Sequence, residues 1–306
     1  MGKYRAWLLL VFCNLFWAGN YVFGKYVIEE VPPLWITFSR WLLALFLLFP
    51  IAWFLEKPDW KKAGQAWLPL VGMGILGGIG YNLLLYSALE YTTATNAALV
   101  SALNPAVIVL FSVLLLGERI STTQFAGFVV SLVGVLVILT KGSLGQIFDA
   151  DYNRGDLLMV ASVVVWTFYS IIGKRLGNIP PITATAVSTL FAVLIMAPFA
   201  LAQGIDLTGI GPLAVTGILY MVIFPSVGSF VFWNMSVRAI GASQAGIFLN
   251  FIPVFTAIIS VILGEEITGT QIWGGLLVFA GVYLTSGMLD RRWTRAAETY
   301  QKAGSA

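Results

Sequence analysis

The chain carries no histidine and one cysteine, Cys13. That composition excludes Ser-His-Asp and Cys-His catalysis, His-based metal sites, a neutral-pH imidazole shuttle and any internal disulfide. Glu29, Glu30, Glu90, Glu118, Glu265 and Glu266 all fall at the ends of apolar runs, so no carboxylate pair for acid–base work lies inside one. No metal and no cofactor is expected. The apolar runs hold aromatic and amide side chains instead, with a single charge. In the first, Asn14, Trp17, Tyr21 and Lys25 follow at spacings of 3, 4 and 4, one face of a helix. Later runs offer Tyr81, Asn82 and Tyr86; Ser101 and Asn104 ahead of Pro105; Trp166, Tyr169 and Ser170; Ser229, Trp233 and Asn234; and Asn250 ahead of Pro253.

Aromatic rings supply large apolar area and attract cationic heads, while an asparagine amide both donates and accepts. Such a lining suits a neutral zwitterion and offers too few cations for a polyanion. The candidate binding set is therefore Trp17, Tyr21, Tyr81, Asn82, Tyr86, Asn104, Trp166, Tyr169, Trp233 and Asn250, with Arg40. Arg40 is the one charge well inside a run. Two readings of it stay open: a clamp for a substrate carboxylate, or a structural group paired with Glu90 or with helix-end carbonyls.

The elements that must position these residues are membrane helices. Only 10% of the 306 residues are charged and 59% are hydrophobic, too few charges to cover a soluble fold of this length. At about 20 residues per span, the chain divides into ten: 6–28, 33–54, 68–89, 93–116, 122–140, 156–174, 182–202, 213–236, 242–263 and 270–289. The first is read as a retained span, since a signal peptide would show a shorter apolar run. Trp7, Trp53, Trp60, Trp67 and Trp293 lie at span ends and read as interfacial belts, whereas Trp17 and Trp166 lie mid-span. The glycines of 72–80, and Gly127, Gly134, Gly274 and Gly281, read as close helix packing before hinges.

Lys and Arg set the orientation. With the N-terminus in the cytoplasm, thirteen fall inside (Lys3, Arg5, Lys57, Lys61, Lys62, Arg119, Lys174, Arg175, Arg238, Arg291, Arg292, Arg295, Lys302) and three outside (Lys25, Lys141, Arg154). Both termini are expected in the cytoplasm, with loops 55–67 and 175–181 inside and 141–155 outside. The tail 291–306 reads as a basic segment against anionic lipid. Basic residues scattered over loops give no nucleic-acid footprint.

The chain also repeats itself. WAGNYVFGK (17–25) returns as WTFYSIIGK (166–174), the Pro pair 32–33 as 180–181, LGERI (116–120) as LGEEI (263–267), and QFAGFVVSLVGV (124–135) as QIWGGLLVFAGV (271–282). Residues 1–150 thus read as one five-helix unit and 151–290 as a second. Five being odd, the second copy enters the membrane inverted, the architecture of many secondary transporters.

The stretch YSALEYTTATNAALVSALNP, with LGERI and the Gln-x-x-Gly pattern after it, resembles the EamA-type repeat of the drug/metabolite transporter superfamily, as does its second copy. The overall character is similar to YddG-type exporters of aromatic and other amino acids. The resemblance implies a bacterial inner-membrane protein whose ten helices surround a central cavity. Helices 1–4 and 6–9 would line the cavity, with helices 5 and 10 peripheral. The expectation is an all-α membrane protein that exports small organic solutes, uncharged or aromatic amino acids first, as a monomer. A phosphosugar, nucleotide-sugar or drug-type exchanger is the alternative within the superfamily. A membrane-embedded enzyme or scaffold is the alternative outside it.

Overall fold

The structure, a computed structural model, describes residues 1–92, 94–140, 142–143, 145, 153–205, 209–262 and 269–285. The LGEEI stretch 263–267, most of loop 141–155 and the tail 291–306, with Trp293, lie outside the described residues. The described chain is helical. Its elements are α1 (Lys3–Val27), α2 (Pro33–Glu56), α3 (Trp60–Gln65), α4 (Trp67–Met73), a π-helical stretch Gly74–Gly80, α5 (Tyr81–Tyr91), α6 (Ala94–Ser101), α7 (Asn104–Leu116) and α8 (Thr122–Leu139). There follow α9 (Arg154–Arg175), α10 (Pro181–Gln203), α11 (Pro212–Met221), a π-helical stretch Val222–Ser229, α12 (Phe230–Ile240), α13 (Ala242–Ile247), a 3-10 turn Phe248–Asn250, α14 (Phe251–Ile262) and α15 (Gly269–Thr285).

Seven of the resulting rods are long and apolar enough to cross a membrane: Lys3–Val27, Pro33–Glu56, Trp67–Tyr91, Arg154–Arg175, Pro181–Gln203, Pro212–Ile240 and Ala242–Ile259. Shorter apolar helices, Asn104–Leu116, Thr122–Gly134 and Ile272–Leu284, stand where the other expected spans fall. The exterior carries Phe46, Phe54, Leu201 and Ile262, each at least 70% exposed, while Asn14, Arg40, Asn82 and Asn250 are buried. Apolar outside and polar inside is the arrangement that a lipid solvent imposes.

Helix boundaries follow local chemistry. Pro33, Pro181 and Pro212 stand at the first helical positions of α2, α10 and α11, where the missing N–H costs nothing. Asn153 and Asp156 form a capping box on α9. The loop expected at 55–67 contains α3, capped by Asp59, which accepts from Lys61 and Lys62 backbone N–H. The run expected as 93–116 is broken between Ser101 and Asn104, just ahead of Pro105, and its counterpart narrows to the 3-10 turn ahead of Pro253. A proline cannot donate to the preceding turn, so the chain re-registers there.

The two π-helical stretches occupy corresponding places in spans 3 and 8. The first lies against α10, where a Cβ at Gly74 would meet the Ser188 carbonyl and one at Gly78 would stand 2.7 Å from Ala192 Cβ. The glycines of 72–80 thus include packing contacts, as expected, within a widened helix that was not. Helices α8 and α15 lie along each other in the same manner. A Cβ at Gly134 would sit 2.6 Å from the Gly274 carbonyl, and one at Gly281 would meet the Gly127 carbonyl and the Ser131 amide. Gly281→Leu is expected to lower thermal stability by about 1–3 kcal/mol, the usual cost of overpacking. Scanning fluorimetry of detergent-purified protein, with a clear drop in Tm, checks it; an unchanged Tm would show that the pair can separate freely.

Long-range caps tie the rods together. Glu56 at the end of α2 accepts from the Ile182 and Thr183 amides of α10 at 2.9 and 2.7 Å. Glu118 accepts from Ala242 and Ser243 at 2.9 and 3.0 Å, and Glu30 accepts from Gly211 at 2.6 Å. A carboxylate at a helix N-terminus satisfies orphan N–H groups and complements the dipole. The lysines of the echoed Gly-Lys pairs do the reverse. Lys25 donates to the Leu89 and Thr92 carbonyls at the end of α5, and Lys174 to those of Val237 and Arg238 in α12.

Two expected placements change. Trp7 is buried, edge-on to Tyr4 and beneath the Lys3 ammonium, because α1 turns it inward, so it is no belt residue. Trp53 and Trp67 are exposed as a belt requires, while Trp60 is half-buried and stacks on Phe49 and Trp53.

Candidate functional site

Five of the predicted residues meet in one aromatic cluster. Trp17 comes from α1, Tyr81 from α5, Trp166 and Tyr169 from α9, and Trp233 from α12, which also contributes Phe230. Trp17 stands edge-on to Trp166 at 5.1 Å and tilts against Trp233 at 5.7 Å. Trp166 touches Tyr81 at 4.8 Å, stacks on Tyr169 at 4.9 Å and meets Trp233 at 5.4 Å. Phe230 closes the cluster, edge-on to Trp17, Trp41 and Trp166. Edge-to-face rings fill space efficiently, so the rings pack on one another here, and none is more than 8% exposed. Tyr169 reaches its place because Gly77 in the first π-helical stretch has no Cβ to meet the ring.

Polar tips anchor this cluster. Trp233 Nε1 donates to Ser170 Oγ at 3.2 Å, and Asn234 Nδ2 donates to the Tyr169 hydroxyl and to Thr185 Oγ1. The Trp166 indole N–H, though buried, has no hydrogen-bond partner among the described residues. A buried donor left unpaired costs about 1–3 kcal/mol, and native structures hold few of them.

Beside the rings lies a polar cage around Arg40, which is 1% exposed. Its Nε donates to Ser226 Oγ at 2.7 Å, and Nη1 donates to Asn20 Oδ1 and Asn82 Oδ1 at 3.1 Å and also contacts the Tyr86 hydroxyl. Tyr86 donates in turn to Asn20 Oδ1. Asn82 holds the Gly77 and Gly78 carbonyls of one π-helical stretch, and Ser226 holds the Met221 carbonyl beside the other. Arg40 therefore bridges both widened helices. Glu90, a candidate partner from the sequence, is exposed and takes no part; every hydrogen-bond partner shown for the guanidinium is a neutral side chain. Tyr21 joins the ring cluster, its hydroxyl 3.4 Å from that of Tyr81.

Asn104 and Asn250 lie apart from both groups. Asn104 Nδ2 donates to the Ser101 carbonyl across the break in span 4, and Asn250 Nδ2 to Ser131 Oγ of α8. The Oδ1 atoms of both, and of Asn14, are buried without a hydrogen-bond partner among the described residues. Sequence reasoning missed Asn20, Ser226 and Phe230. Pro225, inside a span and beside small residues, was the available signal for Ser226; Asn20 lies off the helix face chosen from α1, and Phe230 carries no polar handle.

A bundle of apolar helices enclosing aromatic and amide groups, with a buried arginine and no metal-ligand cluster among the described residues, has the make-up of a membrane transporter. The EamA-like transporter family matches residues 5–140 and again 153–287, and the chain belongs to that family. It is 30% identical over 293 residues to the uncharacterized transporter YyaM of Bacillus subtilis, covering 94% of this chain and 96% of that one. It is 28% identical over 211 residues to the aromatic amino acid exporter YddG of Ancylobacter novellus, covering 65% and 69%. It is 25% identical to a probable amino-acid metabolite efflux pump of Salmonella typhimurium, covering 92% and 95%. A solved crystal structure, 22% identical, superposes with a TM-score of 0.75 over 95% of this chain and 99% of that one, and shares its fold.

Proposed function

We propose that this chain is a facilitative secondary transporter that moves uncharged and aromatic amino acids out of the cell by alternating access. The observation that carries the proposal is the aromatic junction. Trp17 and Tyr81 come from the first 150 residues and Trp166, Tyr169, Phe230 and Trp233 from the remainder, so the two parts of the chain meet on rings. In this reading 1–150 and 151–290 are inverted five-helix repeats making ten crossings, both termini are cytoplasmic, and the protein works as a monomer in the bacterial inner membrane.

The packed rings are the closed state of the path. Rocking of one repeat against the other parts them, and a solute's apolar side chain takes the place of ring–ring contact. The Trp166 N–H and the Oδ1 atoms of Asn14, Asn104 and Asn250, all without a partner among the described residues, are the points to which a passing carboxylate and ammonium, respectively, would bond. Arg40 acts by holding the two π-helical stretches in register. The two relatives whose names carry aromatic amino acids and amino-acid metabolites support the substrate class. A polyanionic sugar phosphate would meet a single buried arginine here, already committed to protein partners.

No acidic side chain belongs to the rings or to the cage, so the solute's own gradient drives the cycle. Proteoliposomes preloaded with unlabelled phenylalanine are expected to take up labelled phenylalanine transiently above equilibrium by counterflow. An imposed pH or sodium gradient without preloading is expected to produce no accumulation. Sustained uphill uptake driven by either ion would contradict facilitated transport.

A further inference from the structure

At the end of the bundle that bears the N-terminus, a cleft of about 540 Å³ opens between α7, the ends of α9 and α12, and α13, and Lys3 stands at its rim. Glu118 and Lys174 both line it. Each is fixed by backbone, Glu118 on the N–H groups of Ala242 and Ser243 and Lys174 on the carbonyls of Val237 and Arg238. They grip the two sides of the connector at Gly241, whose φ of +91° only glycine takes readily. Among the described residues neither is in an ion pair, and the sole ion pair described is Lys62–Asp59. One cleft thus presents a single carboxylate, Glu118, together with the cations Lys174, Arg119 and Lys3, and Glu118 and Lys174 are separately held and not paired with each other. The Ser243 hydroxyl, 6% exposed and lining the same cleft, has no hydrogen-bond partner among the described residues.

Two of the cleft's apolar residues continue along the chain toward buried asparagines. Val109 and Ile247 line it alongside Ile120, Ala239 and Ile240. Val109 lies seven residues along α7 from Leu116, about 10 Å at 1.5 Å per residue, and the next turn brings Asn104 and Pro105. Ile247 is followed directly by the 3-10 turn that ends at Asn250. Both asparagines, like Asn14, have a buried Oδ1 with no hydrogen-bond partner among the described residues.

We propose that this cleft is a docking site, separate from the aromatic junction, that selects zwitterions before they pass inward. The solute's ammonium faces Glu118, its carboxylate faces Lys174, Ser243 gives one neutral hydrogen bond, and the apolar side chain points to Val109 and Ile247. A solute without an ammonium leaves Glu118 unanswered, and one without a carboxylate leaves Lys174 and its neighbour in the cleft, Arg119, unanswered. The solute's two ends also compete with the backbone groups that Glu118 and Lys174 now cap, so occupancy loosens the connector between α12 and α13. This inference rests on the amino-acid reading above, and its test separates the two.

In full-length protein in nanodiscs, Val109→Cys places a half-buried thiol on the inner part of the cleft, while native Cys13 is buried. Phenylalanine is expected to slow its labelling by a hydrophilic maleimide. Phenylalaninamide, lacking the carboxylate, and N-acetylphenylalanine, lacking the ammonium, should each need about tenfold higher concentration, the loss of one charge-assisted contact. Glu118→Gln should erase the advantage of phenylalanine over its N-acetyl form, and Lys174→Met combined with Arg119→Gln its advantage over the amide. Protection should persist in monodisperse protein when Trp166→Phe is added. Equal protection by all three compounds, or loss of protection in folded Trp166→Phe protein, would overturn the docking site. Counterflow of phenylalanine without any protection would remove the docking site and spare the transport reading. Zwitterion-selective protection without counterflow would uphold the site and remove that reading.

Discussion

Trp166→Ala is expected to cut phenylalanine counterflow per folded molecule by at least tenfold. Trp166 touches Trp17, Tyr81, Tyr169, Phe230 and Trp233, so it is the ring that both parts of the chain share. Truncating a buried tryptophan also costs about 3–5 kcal/mol of stability, so yield will fall and transport must be normalised to monodisperse protein. Trp166→Phe separates the two effects. It keeps most of the ring contact and removes the unpaired N–H, so it should retain the fold while losing part of the transport rate. Full normalised transport in Trp166→Ala, despite a lower Tm, would place the ring in packing alone.

Arg40→Lys is expected to be nearly as damaging, for a different reason. The planar guanidinium holds Ser226 on one edge and Asn20, Asn82 and Tyr86 on the other; a single ammonium cannot span that set. Asn82 Oδ1 or Ser226 Oγ then loses its donor, at about 1–3 kcal/mol for each buried group left unpaired. The two π-helical stretches lose their common anchor with it. Transport of phenylalanine and of its amide should fall together, about tenfold or more, with a lower Tm. Selective loss of the carboxylate-bearing compound would instead mean that Arg40 touches the solute.

Much of this arrangement was legible in the chain. Apolar length marks the rods, because a bilayer fixes about 20 residues per crossing. The echo between 17–25 and 166–174 singled out Trp17 and Trp166, which stand edge to face in the fold. The same echo contains Lys25 and Lys174, yet their capping of α5 and α12 was invisible, since the carbonyls they hold lie more than 60 residues away in sequence. The caps from Glu30, Glu56 and Glu118 were hidden for the same reason: Glu30 and Glu118 read only as span-end charges, and Glu56 was not singled out. The π-helical stretches were hidden too. Their glycines and Pro225 signal a departure from regular helix, but the groups that hold the widened turns include Trp41 and Arg40 from another helix, which bond the Gly78 carbonyl and the Ser226 hydroxyl. Burial of Trp7 depended on which face α1 turns inward, and a helix apolar on nearly every side does not reveal that.

The most direct test of the central claim is a counterflow panel in proteoliposomes holding the purified chain. Phenylalanine, tryptophan and methionine are compared with a phosphosugar at equal concentration, alongside protein-free vesicles. The aromatic junction predicts that all three amino acids exchange well above the protein-free rate and outpace the phosphosugar by a wide margin. Preference for the phosphosugar, or no movement of any amino acid, would contradict it.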